Sequence, residues 1–214
     1  QAKLLTLMAC IKSIYDFNAE TLDGQTIPLS IYRGKVLLIV NLVVFSFYSS
    51  VRQYHRLNAL MEMFGHLNFT VLGFSCNQFG LQAPGRKANH ETLNILKYVR
   101  PGGGFVPKFP VFGKIEVNGL NEEPLFTYLK ESLPYVNPVI GDIKKFYWSP
   151  IKVNDLRWNF EKFLIFSWDA CVFHSLMSLQ PSNMAAVGFR NWARALSKGK
   201  GPGFSALLSQ VRAG

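Results

Sequence analysis

"GKVLLIVNLVVFSFYSSVRQYHRLNALMEMF", residues 34–64, decides the fold class. Its first dozen residues are a near-continuous apolar run rich in Val and Ile, the pattern of a strand buried on both faces. Further on, Leu57, Leu60, Met61 and Phe64 recur at i, i+3, i+4 and i+7, which predicts an amphipathic helix. A strand that hands over to a helix is an α/β unit. In such sheets ligands gather where strands end, yet the handover segment "FSFYSS", residues 45–50, holds no cysteine, histidine or carboxylate.

Working outward, "SIYDFNAETLDGQTIPLS" reads as a hairpin turning at Asp23-Gly24. "FTVLGFSC", residues 69–76, is a second buried strand, followed by a polar loop with "APG" and the helix "HETLNILKYV", apolar at 93, 96 and 99. A parallel βαβ crossover is the expected arrangement. "FPVFGKIEV", the helix "EPLFTYLKESL" and the strand-like "WNFEKFLI" complete a mixed central sheet with flanking helices, in a domain spanning 1–165. From Phe166 the alternation disappears, and "KGKGPG" punctuates a tail, 166–214, expected to be loosely attached, with an amphipathic helix near Met184 to Leu196 as one option.

The chain has 214 residues, 49% hydrophobic and 17% charged, which suits one globular domain with a substantial core. Its apolar run near Val36 is shorter than the roughly 20 residues needed to span a membrane, so no membrane segment is expected. The net charge of +10 is scattered and unaccompanied by a nucleic-acid motif, so nucleic-acid binding is not expected either, although the field favours small anions. Three widely spaced cysteines, Cys10, Cys76 and Cys171, outline neither a disulfide framework nor a metal site, and a reducing compartment is the expectation. Asn68-Phe69-Thr70 matches a glycan acceptor pattern but directly precedes a buried strand, and on that ground it is discounted.

Two stretches carry chemistry. "LGFSCNQFG", residues 72–80, sets Cys76, Asn77 and Gln78 at a strand end. Cys76 has no basic neighbour to lower its pKa and reads first as a small buried hydrophobe. The Gln78 amide, in a loop, is free to aim donors and an acceptor into a cleft. "RWNFEKFL", residues 157–164, pairs the indole N–H of Trp158 with the amide of Asn159; taken alone it reads as a core tryptophan beside a turn-forming asparagine.

Together with "LKYVRPGGGFVP" and "WSPIKVNDLRWNFEKFLI", these stretches resemble the glutathione peroxidase family, from about Ser13 to Ile165. The resemblance implies a thioredoxin-like fold and reduction of hydrogen peroxide and organic hydroperoxides, with glutathione as reducing co-substrate and no bound cofactor or metal. The family's nucleophile is a selenocysteine or cysteine ending the strand-to-helix segment, and Gln78, Trp158 and Asn159 match the residues that surround it. Arg52 and Arg100 fall at positions associated with docking the glutathione anion. "YVRPGGGFVP" resembles the loop of the tetrameric branch, which implies a homotetramer. "SIYDF", "LDGQ" and "VNGLNEEPLFTYLKESLPY" look most like the cytosolic and gastrointestinal-type branches, which implies a cytoplasmic protein rather than a secreted one.

The pattern breaks at the nucleophile. Counting forward from Asn41 places it at Ser46, and counting back from Arg52 places it at Phe47. A serine has no stable counterpart of the sulfenic state, so the chain with Ser46 is expected to be inactive. Selenocysteine is encoded by a codon that otherwise means stop, and a translation that passed it over would read like "LVVFSFYSS". Three readings follow: a peroxidase whose selenocysteine is missing from this sequence, an inactive thioredoxin-fold binding protein, and a substitute nucleophile at Cys76, which lies in a different loop.

Overall fold

The computed structural model describes residues 12–44, 48–80, 89, 91–132, 144, 146–165 and 172–175. The chain divides into two compact units, 1–174 and 175–214, and of the second only Ser175 is described. Cys10, Ser46, Phe47, Cys171, the "APG" loop and the stretch Met184 to Leu196 lie outside the described residues.

The hairpin forms as expected: β1 (Asn18–Glu20) pairs antiparallel with β2 (Thr26–Pro28). The turn between them uses Gly24 at φ +79°, a conformation that a side chain resists. There follow β3 (Val36–Leu42), α1 (Tyr48–Phe64), β4 (Phe69–Cys76), α2 (Thr92–Asn94), β5 (Val111–Ile115), α3 (Pro124–Ser132), β6 (Lys162–Ile165) and β7 (Val172–Ser175). The main sheet runs β5-β4-β3-β6-β7. β3, β4 and β5 are parallel neighbours and β6 runs antiparallel to β3, so the sheet is mixed.

A cluster on one face of this sheet holds it to α3. Phe126 of α3 meets Phe74 of β4 edge-on at 5.7 Å and Phe163 of β6 at 6.1 Å, while Phe74 stacks on Phe112 of β5 at 4.8 Å. Leu37 and Ile39 belong to the same cluster, and strand alternation puts Leu38 and Val40 on the opposite face. All four are buried, as a doubly covered strand requires. α1 reaches the sheet through Phe64 against Phe69 and through the Met61 sulfur, which accepts from the Val71 N–H.

The expected helix over 90–99 departs from its pattern. Only Thr92–Asn94 is α-helical, and Ile95–Val99 continues as a π turn closed by Arg100 N–H to Ile95 O at 2.8 Å. The wider turn displaces the apolar face: Leu96 is buried with Ile95 and Thr92, whereas Leu93 and Val99 are exposed.

Candidate active site

The register brings four segments to one edge. Leu42 at the end of β3 lies beside Ser75 of β4, Cys76 beside Ile115 of β5, and Val40 opposite Lys162 at the start of β6. The chain leaving β3, β4 and β5 and the chain entering β6 therefore meet where α/β sheets place ligands.

Asn41, fully buried within β3, ties down the segment before β6. Its Nδ2 donates to the Trp158 carbonyl at 3.1 Å, its Oδ1 accepts from the Glu161 N–H at 2.8 Å, and its own carbonyl accepts from the Phe160 N–H at 2.8 Å. Between these anchors Phe160 adopts φ +63°, unusual for a bulky residue. Its ring is held edge-on by Tyr54 at 5.4 Å, and Tyr54 in turn donates to the Val43 carbonyl at 2.8 Å. The Lys162 ammonium donates to the Phe160 carbonyl at 2.6 Å. Burial pushes the Lys162 pKa down to about 8, against Glu161 and with help from Arg56.

Gln78 is anchored rather than free. Its Oε1 accepts from the backbone N–H groups of Val117 (2.8 Å) and Asn118 (3.0 Å), and its Nε2 donates to the Asn118 carbonyl at 2.7 Å. Among the described residues one N–H of the amide has no acceptor. The Asn118 side chain continues the chain of bonds: Nδ2 donates to the Leu156 carbonyl at 2.8 Å, and Oδ1 accepts from the Leu156 N–H at 2.9 Å. One asparagine thus fixes Gln78 through its backbone and the segment before Trp158 through its side chain.

A buried ion network supports that asparagine. Lys130 donates to Asn118 Oδ1 (3.2 Å), Glu122 (2.6 Å) and Asp155 (3.2 Å), and Asp155 accepts from Trp148 Nε1 and the Lys152 N–H, each at 2.8 Å. Burial opposes ionisation of Glu122, but hydrogen bonds from Lys130, Thr127 and Lys152 outweigh it and hold the carboxyl below its ordinary range.

Trp158 is not a core residue: it is 50% exposed, and its indole N–H has no acceptor among the described residues. Asn159 beside it is buried, with Nδ2 at a long 3.5 Å from the Phe79 carbonyl and Oδ1 without a partner among the described residues. Phe79 follows Gln78 and its ring lies 6.3 Å from Trp158. Asn159 Oδ1 is an acceptor, and burying it unpartnered costs about 1–3 kcal/mol; the donors of this edge are Gln78 Nε2, Trp158 Nε1 and Asn159 Nδ2. Such a set favours a developing anion.

Cys76 is fully buried, its thiol 3.9 Å from Gln78 Oε1, and burial raises its pKa to about 11. A thiol in that state is inert near neutral pH, as its surroundings in the sequence suggested. Arg52 in α1 and Arg100 after the π turn are both exposed. Ser46 falls in the segment outside the described residues, between Val44 and the start of α1. The sequence reading missed Asn41, Asn118, Lys130 and Asp155, although an amide inside a doubly buried strand signals partners that must exist.

A family profile described as glutathione peroxidase matches residues 14–130. Rat glutathione peroxidase 3 is 49% identical over 154 residues, which is 72% of this chain and 66% of the rat protein. Rat glutathione peroxidase 6 is 49% identical over 72% of this chain and 68% of its own length. Among solved structures, T. cruzi GPX1 is 26% identical with a TM-score of 0.56, covering 82% of this chain and 93% of that one. Trgpx in apo form is 28% identical with a TM-score of 0.57, covering 84% and 95%.

The chain belongs to the glutathione peroxidase family. Its fold is thioredoxin-like. The chain spans just under two-thirds of the length of rat glutathione peroxidase 3.

The expectation of a cytoplasmic glutathione peroxidase of the cytosolic or gastrointestinal type is overturned, because the relatives matched are glutathione peroxidases 3 and 6, secreted extracellular enzymes. The motifs behind that expectation encode packing rather than address. "SIYDF" supplies Ile14 and Tyr15 to the core, and "VNGLNEEPLFTYLKESLPY" supplies Asn118, Glu122 and Lys130 to the buried network. Nor does cysteine count bear on compartment where an aromatic core holds the sheet.

Two predictions test these interactions. Lys130→Met leaves the buried Asp155 without a cation and Glu122 with Lys152 alone, and should destabilise the fold by about 3–5 kcal/mol in denaturant titration; a loss under about 1 kcal/mol would contradict the network. Lys162 binds a proton less readily in the folded than in the unfolded chain, whose value is 10.5. Between those two values the unfolded state holds more protons, so stability rises with pH. The parent chain should gain about 2 kcal/mol relative to Lys162→Met between pH 8 and pH 10, read from paired denaturation curves; a constant difference would contradict it.

Proposed function

We propose that this chain is the scaffold of a secreted glutathione-dependent hydroperoxide reductase whose chalcogen nucleophile belongs at position 46. The observation that carries the reading is the joint arrangement of Gln78, Trp158 and Asn159. They lie on two segments that Asn41 and Asn118 fix at the edge where β3 ends, with amide and indole N–H groups that have no acceptor among the described residues.

In this reading the Gln78 and Asn159 amides and the Trp158 indole stabilise a selenolate or thiolate, the form that attacks the peroxide O–O bond. The resulting selenenic or sulfenic acid is returned by two glutathione molecules, with Arg52 and Arg100 docking the glutathione anion. The extracellular location is proposed from the relatives. A homotetramer is proposed as well, supported by exposed Tyr98, Val99 and Val106 flanking the "RPGGGF" loop, beside a groove of about 260 Å³ lined by Leu93, Phe105 and Pro107. Exposed apolar surface of that kind is commonly covered by a partner.

The second reading, an inactive thiol-binding protein, is favoured by one observation, the serine at position 46. Peroxide-coupled glutathione oxidation separates the two. The chain with Ser46 should show no turnover, Ser46→Cys should gain it, and Gln78→Ala in the Ser46→Cys background should lower kcat by about 10²-fold. An in-frame UGA in the transcript between codons 41 and 52 accords with the same account. Turnover by the Ser46 chain itself, or none from cysteine at either 46 or 47, would refute it.

A further inference from the structure

The acceptor pattern Asn68-Phe69-Thr70, set aside on sequence grounds because it abuts a buried strand, has a different setting in the fold. Asn68 is not part of β4. It caps the short 3-10 turn Gly65–Leu67 in the left-handed conformation, at φ 55° and ψ 39°, one residue before the strand begins. The residue is exposed. Its carbonyl is engaged, accepting from the Val36 N–H at 2.8 Å, but its side-chain amide has no hydrogen bond among the described residues. Phe69 and Thr70 are buried at 6% and 5% exposure, so of the three residues only the one that would carry the sugar lies outside the core.

We infer that Asn68 is an N-glycosylation site. The inference rests on the secreted reading proposed above, since the modification occurs in the secretory pathway. The chain enters that pathway unfolded, so the later burial of Thr70 against Leu37 does not hinder recognition of the triplet. What the folded protein must supply is a place for the carbohydrate, and the exposed cap supplies it. In the transfer, the Asn68 Nδ2 attacks the anomeric carbon of a lipid-pyrophosphate-linked oligosaccharide. The C–N bond forms as the bond from that carbon to the pyrophosphate oxygen breaks, and the amide proton leaves to balance the departing lipid pyrophosphate.

The position is compatible with the proposed site. β4 runs eight residues from Phe69 to Cys76, so at ~3.3 Å per residue Asn68 sits about 26 Å along the strand axis from the edge that holds Gln78. A glycan there extends from the opposite end of the sheet and leaves the cleft open. The bland alternative is that Asn68 is present only because asparagine tolerates the left-handed region.

The full chain, expressed in mammalian cells behind a cleavable secretory leader, tests the site whatever its natural routing. Protein from the medium should drop in apparent mass on peptide-N-glycosidase treatment, and the treatment in heavy-oxygen water should leave a labelled aspartate at position 68. Asn68→Asp and Asn68→Gly both suit the left-handed cap and should abolish the drop while secretion continues; Thr70→Ser should retain it. Secreted parent chain with unmodified Asn68 would overturn the inference and leave the proposed location intact. Retention in the cytosol of the product of the natural gene, with the leader-bearing chain glycosylated, would overturn the proposed location, and with it the natural use of the site, while showing that Asn68 is a competent acceptor.

Discussion

The arrangement depends on two buried asparagine side chains that bond to backbone. A strand ladder satisfies its own N–H and C=O groups, but segments leaving the ends of strands do not, and a buried edge of unsatisfied groups is costly. Asn41 and Asn118 resolve this where the candidate site lies. Each offers one donor and one acceptor to a segment distant in sequence, Asn41 to residues 158–161 and Asn118 to Leu156. Because Asn118 also presents its own backbone to Gln78, the two loops that carry the polar trio are fixed to the same part of the sheet.

The ions around Lys130 take their meaning from that role. A buried ion pair is weak evidence for stability, since removing charges from water costs as much as their attraction returns. Here the cation also bonds Asn118 and Asp155, and Asp155 holds the Trp148 indole. The network therefore fixes geometry. The same logic applies to Phe160, whose left-handed backbone is held by Asn41, Tyr54 and Lys162 together.

Much of the architecture is visible in the sequence because burial writes a pattern. The run at 69–76 is a strand throughout, the run at 34–45 holds the strand Val36–Leu42, and Asp23-Gly24 sits in the expected turn. The π turn at 95–99 leaves no comparable mark, since a widened turn changes which residues face the core without changing composition. At the candidate site, motif position points to Gln78, Trp158 and Asn159, while the local reading of Trp158 as core fails, because exposure depends on what the chain packs against. Asn68, one position outside a buried strand, is exposed, which the apolar pattern of that strand does not reveal. Compartment was misread because the matching motifs serve packing shared across branches of a family.

The account makes the loops beneath the trio as rigid as the sheet, which amide hydrogen exchange measures directly. The N–H groups of Leu156 and Glu161 donate to the side-chain oxygens of Asn118 and Asn41. Their exchange in the native chain should require opening free energies close to those of the β3 and β4 amides, since both would open only with the sheet. Exchange of either at rates typical of a solvent-exposed loop would show that the asparagine joints do not hold the site together.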